Sequence, residues 1–231
     1  MSLEKGTQMP NWVFNSLSIE GDEEQIKKVK AQLNAPYERR FESKEEVTKY
    51  SNPIFSFWNI VRPPADKIEE YEGVHGYADG ERQGDGEFNW YNFNNREWGT
   101  KWDVAISDDN KFPETTMTDG ETLVTYNFQT AWSPPIEAIE KLSEQHPELT
   151  ITLDWEEEQG FGGVYVFQEG SHYVDKEWDI PNSHEDYVER DNVDGCVCSY
   201  EEDTDEWYDD CPGKKIVIEV SAIRDTVVAK N

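Results

Sequence analysis

A chain of 231 residues with fifty acids against twenty-one bases, net charge −29 and pI near 4.3, lacks the basic footprint that phosphate binding needs, which excludes nucleic acid as a direct ligand. Hydrophobic residues make up only 35% and mean hydropathy is −0.88, but nine Trp, eleven Tyr and ten Phe supply enough ring area for one elaborated domain or two small ones. No apolar run approaches the ~20 residues of a membrane helix and no signal segment opens the chain, so a soluble cytoplasmic protein is expected, its three cysteines reduced.

Residues 1–8 read as a polar leader. Residues 11–20 alternate apolar and polar at Trp12 and Phe14, then at Leu17 and Ile19, with a phase slip at Asn15-Ser16. This predicts a half-buried strand with a bulge. Gly21-Asp22 punctuates. Asp22 is placed to cap the next helix with Gln25 in the capping-box position, and Ile26, Val29 and Leu33 form its apolar stripe before Pro36 ends it. Residues 37–52 are charged and predicted irregular or weakly helical. Residues 53–60 read as a second strand, closed by Pro63-Pro64. A long insertion follows from about 65 to 120, helical near 66–71. Within it, residues 90–106 are predicted to mix strand with turn, because Gly99 interrupts them.

Residues 121–130 are β-branched and aromatic, a strand. Ser133 is a predicted helix cap, with Pro134 and Pro135 in the first turn and Ile136, Ile139 and Leu142 as the stripe. Residues 149–155 form the next strand, and residues 159–163 turn it into a hairpin with 164–167. Two successive strand–helix–strand units make an α+β, ferredoxin-like split βαβ sandwich, with helices on one sheet face and the other face open. The expected limits are 9–170 for this domain and 171–231 for an acidic, aromatic extension ending in a strand at 214–220.

Met9-Pro10-Asn11-Trp12 with Asn15, Leu17 and Gly21, then the run 98–103 (Trp-Gly-Thr-Lys-Trp-Asp), then the run 128–135, resemble the YubB-like or Api-type group of phage- and plasmid-encoded proteins. The resemblance covers about residues 9–170. It implies a ferredoxin-like domain in a mobile-element protein, and the group has no established biochemical role. Val13 stands where many members carry Cys, and Glu97 where they carry Asn.

Three constellations carry chemistry. In the run 98–103, Lys101 and Asp103 fall on one face of an extended segment, with Trp98 and Trp102 on the other. With Trp132 they would line a pocket for a small-molecule or metal-dependent enzyme; otherwise the run is a structural corner with both rings packed. No His or Ser stands in a recognisable relation to Asp103, so no catalytic residue is assigned. Cys196, Cys198, Cys211 and His184 have the donor types of a zinc site, but Cys-x-Cys is tight for one, so free thiols are expected and no metal or cofactor is assigned. The four histidines (His75, His146, His172, His184) are scattered and predicted to lie at the surface.

The third constellation is the acidic half. Residues 154–211 hold twenty acids against two bases, Lys176 and Arg190, with Trp178, Tyr187, Trp207 and Tyr208 among them. Alternate residues on a strand stand ~6.6 Å apart, close to twice the ~3.4 Å charge spacing along a DNA strand. Such carboxylates suit a basic groove made for a nucleic-acid backbone, with the rings as anchors. The predicted partner surface is Trp178, Asp203, Asp205, Trp207, Tyr208, Asp209 and Asp210. Its expected partner is a basic host protein of the nucleic-acid-handling or defence kind, which a DNA-mimicking accessory protein would inhibit. A structural or assembly role is the remaining reading.

Overall fold

Period-two alternation builds the sheet. Strand β1 (Trp12–Glu20) buries Val13, Asn15, Leu17 and Ile19 and turns Phe14, Ser16 and Ser18 to the other face. Its register is unbroken against both neighbours, so the expected bulge is absent. The reason is Asn15, a polar side chain on the core face. Its amide donates to the Val13 carbonyl at 2.9 Å and to Thr130 Oγ1 at 2.9 Å, which lets it be buried and hides the alternation from a hydropathy reading.

The computed structural model describes residues 11–40, 47–73, 77–78, 81–82, 86–110, 114–180, 200–201 and 206–207. After β1 come α1 (Glu23–Leu33), a hairpin of β2 (Tyr37–Arg40) and β3 (Val47–Tyr50), a 3-10 turn at Phe57–Asn59, and a second at Ala65–Lys67 leading into α2 (Ile68–Gly73). Next are β4 (Tyr77–Ala78), β5 (Glu81–Arg82), α3 (Trp90–Glu97), β6 (Thr116–Thr118), β7 (Leu123–Ala131), α4 (Ile136–Gln145), β8 (Thr150–Glu157), β9 (Gly162–Gln168) and β10 (Ser171–Trp178). The sheet order is β10-β9-β8-β1-β7-β6, antiparallel throughout. Its strands β8-β1-β7-β6, with α1 and α4 as the crossovers, have the α+β ferredoxin-like arrangement.

Residues up to Trp178 form one compact unit, so the sheet continues through β10, beyond the expected limit at 170. Asp179–Asn231 form a second. Its described secondary structure is the pair β11 (Tyr200–Glu201) and β12 (Glu206–Trp207), with Tyr200 opposite Trp207. The leader at 1–8 and the expected strand at 214–220 lie outside the described residues.

The start of α1 follows its sequence: Asp22 and Gln25 exchange hydrogen bonds in a capping box, and Ile26, Val29 and Leu33 are buried. The α4 stripe also holds, with Ile139 and Leu142 buried. Its cap differs. Pro135 occupies the cap position, and the Ser133 hydroxyl donates to the Gly99 carbonyl instead.

Three expected segments are different elements. Within residues 37–52, expected irregular or weakly helical, β2 and β3 pair as antiparallel strands. Residues 53–60 are an irregular loop and a 3-10 turn rather than a strand, and β6 takes the sheet position such a strand would fill. The loop is held from a distance by Asp103, whose carboxylate accepts from Ser56 Oγ at 2.8 Å and from the backbone N–H of Phe57 at 2.9 Å. Residues 90–97 form helix α3, capped by Asn89, whose side chain accepts from the Asn92 N–H at 2.9 Å. Here amides alternate with rings in sequence, while burial of Phe93 and Asn94 follows the helix. His146 is also a correction: it is buried, and its Nε2 stands 2.7 Å from Gln32 Oε1 on α1. His172 is partly exposed beside Glu140, whereas His75 and His184 lie outside the described residues.

The core is unusually aromatic. Phe55 stacks on Phe128 with centroids 4.9 Å apart, Phe57 lies 5.8 Å from Trp98, and Trp58 lies 5.5 Å from Tyr71. The Arg39 guanidinium is buried, 4.6 Å from the Trp58 ring and 5.0 Å from the Tyr71 ring. Trp98 is wholly enclosed and its indole N–H donates to the Val61 carbonyl at 2.9 Å, whereas Trp102 is 39% exposed. The two tryptophans of the run therefore differ in kind. Trp98→Ala is expected to cost about 3–5 kcal/mol and Trp102→Ala about 1 kcal/mol, measured by urea denaturation of the two variants beside the parent.

Candidate protein-binding face

The run 98–103 is a corner rather than an extended segment. Trp98 ends α3, and Gly99 follows at φ +78, where an added Cβ would fall 1.9 Å from Glu137 Oε2. Thr100 Oγ1 donates to the Ala131 carbonyl at 3.0 Å, and Asn94 Nδ2 to the Lys101 carbonyl at 2.8 Å. Lys101 Nζ sits 4.5 Å from the Trp102 ring centroid.

Asp103 Oδ1 accepts the N–H of Phe57 and its neighbour Val104, while Oδ2 accepts from Tyr37, Ser56 and the Trp58 N–H. Five hydrogen bonds thus commit this carboxylate to holding the fold. Burial, and then the charge of Asp103, push the Tyr37 hydroxyl far above its usual range, so it stays a donor. Trp132 is 46% exposed at φ 76, its N–H donating to the Asn11 carbonyl at 2.9 Å. The residues expected to line one pocket are thus divided between core and surface: Trp98 in the core, Asp103 in a structural network, Trp102 and Trp132 at the surface.

The open sheet face gathers a different set. Because strands in register share faces, Phe14 of β1 lies between Gln129 of β7 and Glu156 of β8, and Ser16 lies between Asn127 and Asp154. The row continues from Glu156 through Gly162 to Trp178. Gly162 is required there, since a Cβ would meet Trp178 Cζ2 at 2.8 Å. Phe14 is 50% exposed at the centre of the sheet. Around it is a hollow of about 400 Å³ lined by Phe14, Ser16, Glu114, Asn127, Asp154 and Glu156. A smaller hollow of about 140 Å³, walled by Trp12 and Trp102, adjoins it through the shared residues Glu114 and Gln129. Trp12 and Trp102 pack with centroids 6.1 Å apart.

Rings and carboxylates on one concave face suit a cationic side chain: the ring takes the alkyl stem or the cation, and the acids take the charge. Burial, followed by the neighbouring Glu156, raises the Asp154 carboxyl above its usual range, with Lys176 opposing. Of the residues expected at the partner surface, Trp178 reaches this face and Trp207 is placed by its backbone in β12. Asp203, Asp205, Tyr208, Asp209 and Asp210 lie outside the described residues, as do Cys196, Cys198 and Cys211. No metal-holding group of acids, histidines and cysteines occurs among the described residues. Phe14 and Glu114 were missed. The signal for Phe14 was present in the alternation, once Asn15 is allowed to be a buried amide.

Residues 101–206 match a family model described as a ferredoxin-like domain in Api92-like protein. The match takes in β10 and reaches past residue 170. The chain is also similar to the crystal structure of the protein Api92 from Yersinia pseudotuberculosis, at 11% identity and a TM-score of 0.45, over 75% of this chain and 99% of that one. No curated protein matches. No helix among the described residues is long and apolar enough to cross a membrane.

The raised Asp154 has a consequence for stability. The folded state holds this proton more tightly than the unfolded chain, so the group's contribution is fully present below its ordinary value of 3.8 and is lost as pH rises through the raised folded value. At neutral pH the ionised group therefore opposes folding. Because Asp154 is solvent-exposed and its charge is screened, Asp154→Asn is expected to raise the melting temperature by at most about 1 °C at pH 7, an advantage that shrinks as pH approaches 4, read by thermal denaturation across that range.

Proposed function

We propose that this chain is an accessory binding protein that takes a basic surface of a partner protein onto its open sheet face. The observation that carries the reading is Phe14, half exposed at the centre of the sheet with Asp154, Glu156 and Glu114 around it. An aromatic anchor ringed by like charges selects a cationic partner and repels an anionic one. The acidic extension adds long-range attraction, because residues 171–211 carry fifteen acids and two bases.

The finer reading rests on the mobile-element resemblance and on charge spacing. Asp154 and Glu156 are alternate residues of one strand on one face, so their backbone positions repeat at ~6.6 Å, near the phosphate interval. On that basis the partner is a basic host protein of the nucleic-acid-handling or defence kind, met in the bacterial cytoplasm and inhibited by occupation of its phosphate-binding groove.

The test is capture from bacterial lysate by the immobilised full-length chain, at low and high salt, followed by challenge with DNA. The captured protein is expected to be basic, to release with salt, and to be displaced by DNA. Phe14→Ala should weaken the purified complex about tenfold. The paired change Asp154→Asn with Glu156→Gln should weaken it further and flatten its salt dependence. An acidic partner, or one indifferent to salt and to these substitutions, contradicts the reading.

A further inference from the structure

The smaller hollow at the end of the open face has a geometry of its own. Trp12 shares its sheet face with Phe14 and Ser16 by alternation along β1, and across the register on β7 it faces Ala131. A methyl group opposite an indole leaves space beside the ring, and the hollow of about 140 Å³ lies there, lined by both residues. Trp102 supplies the other wall, its ring inclined at 43° to that of Trp12. Trp12 is half-buried and Trp102 more exposed, so both residues present surface to solvent.

The charge around these rings is negative. Glu114 lines both hollows of the open face, is exposed, and makes no ion pair among the described residues. Glu158 accepts the Trp12 N–H through Oε2 at 3.2 Å, which holds a second carboxylate beside that residue. The other carboxylate of the lining, Asp103, is committed to its five hydrogen bonds, and the Thr115 hydroxyl donates to the Val104 carbonyl at 2.6 Å. Gln129, common to both hollows, adds an amide.

One of these rings already draws positive charge. Lys101 Nζ sits 4.5 Å from the Trp102 centroid, within the reach of a cation–π contact. This ammonium belongs to the corner itself, where Asn94 holds the Lys101 carbonyl at 2.8 Å. A cation arriving from outside competes with it for the ring and is repelled by its charge, while Glu114 and Glu158 oppose that repulsion.

We propose that this hollow receives an arginine side chain of the partner protein, its guanidinium laid against Trp12 and Trp102 and its charge met by Glu114. The inference rests on the reading of the open face as the seat of a basic partner, and it names the residue type that the rings select. Arginine is favoured over lysine because its guanidinium is flat, stacks on rings, forks onto a carboxylate and sheds water more readily than an ammonium. The volume suits a flat group, being close to the ~150 Å³ of a cavity that accepts benzene. An apolar ring is the poorer occupant, because it would cover Glu114 without supplying a counter-charge.

The experiment measures binding of dye-labelled nona-arginine and nona-lysine to the full-length chain by fluorescence anisotropy at matched salt, so that attraction common to any cationic peptide cancels in the ratio. Nona-arginine is expected to bind about fivefold tighter. Trp102→Ala should bring that ratio close to one, and Glu114→Gln should lower it. Lys101→Ala removes the competing cation and should raise the ratio, a reading that needs no tryptophan removed. Equal affinities for the two peptides, a preference that survives Trp102→Ala, or one that Lys101→Ala leaves unmoved or lowers overturns the inference. Equal affinities that fall together in Phe14→Ala would overturn it while leaving the open-face reading standing. Failure of both peptides to bind would remove both.

Discussion

The carboxylate of Asp103 organises described segments between α1 and β6 that lie outside the βαβ core. It takes backbone N–H groups from Phe57 and Trp58 and hydroxyls from Tyr37 and Ser56, so β2, the 53–60 loop and the corner after α3 are tied to one side chain. Charge-assisted bonds of this kind are roughly twice as strong as neutral ones, and Asp103 makes them while only partly buried. The loop it fixes delivers Phe55, Phe57 and Trp58 to the core. Through Phe57 the same anchor meets Trp98, and through Trp58 it meets Tyr71 and the enclosed Arg39. The long insertion thereby shares the core of the sheet.

This arrangement explains which parts of the fold were legible in the sequence. Helix α1, strand β7 and the β8–β9 hairpin are encoded by neighbours within a few residues: a capping box, β-branched alternation and a glycine turn. The 53–60 loop is encoded by a residue more than forty positions away. Its string of rings has the composition of a strand, and Asp103, with Asn34 accepting the Ile54 N–H, holds it as a turn. Helix α3 was obscured by asparagines, which are weak helix formers in isolation but here cap the helix or bond inward, as Asn94 Oδ1 does with the Tyr71 hydroxyl at 2.8 Å.

The candidate site was legible in kind more than in place. Its acidity was evident from composition, and Trp178 was among the residues singled out. Its centre was not, because a single buried amide, Asn15, inverted the apparent facing of β1 and hid Phe14 in an imagined core. The conspicuous run 98–103 drew notice through costly side chains whose work is architectural. Tryptophan density and a lone lysine do not separate a pocket from a corner; that distinction lies in hydrogen bonds to distant carbonyls such as those of Val61 and Ala131.

Strand β10 bears on how the molecule meets others. The register slips between Val174 and Lys176, and Asp175, Lys176 and Glu177 crowd the slip, on a strand that stands at the margin of the sheet. A kinked, charged border cannot offer the flat ladder of free amides on which another chain extends a sheet. At the opposite margin β6 has only three residues. Strand-by-strand addition, the common road to fibrils and to swapped dimers, is therefore obstructed at both borders. A chain approaching this sheet therefore finds its pleated face more open to contact than its borders.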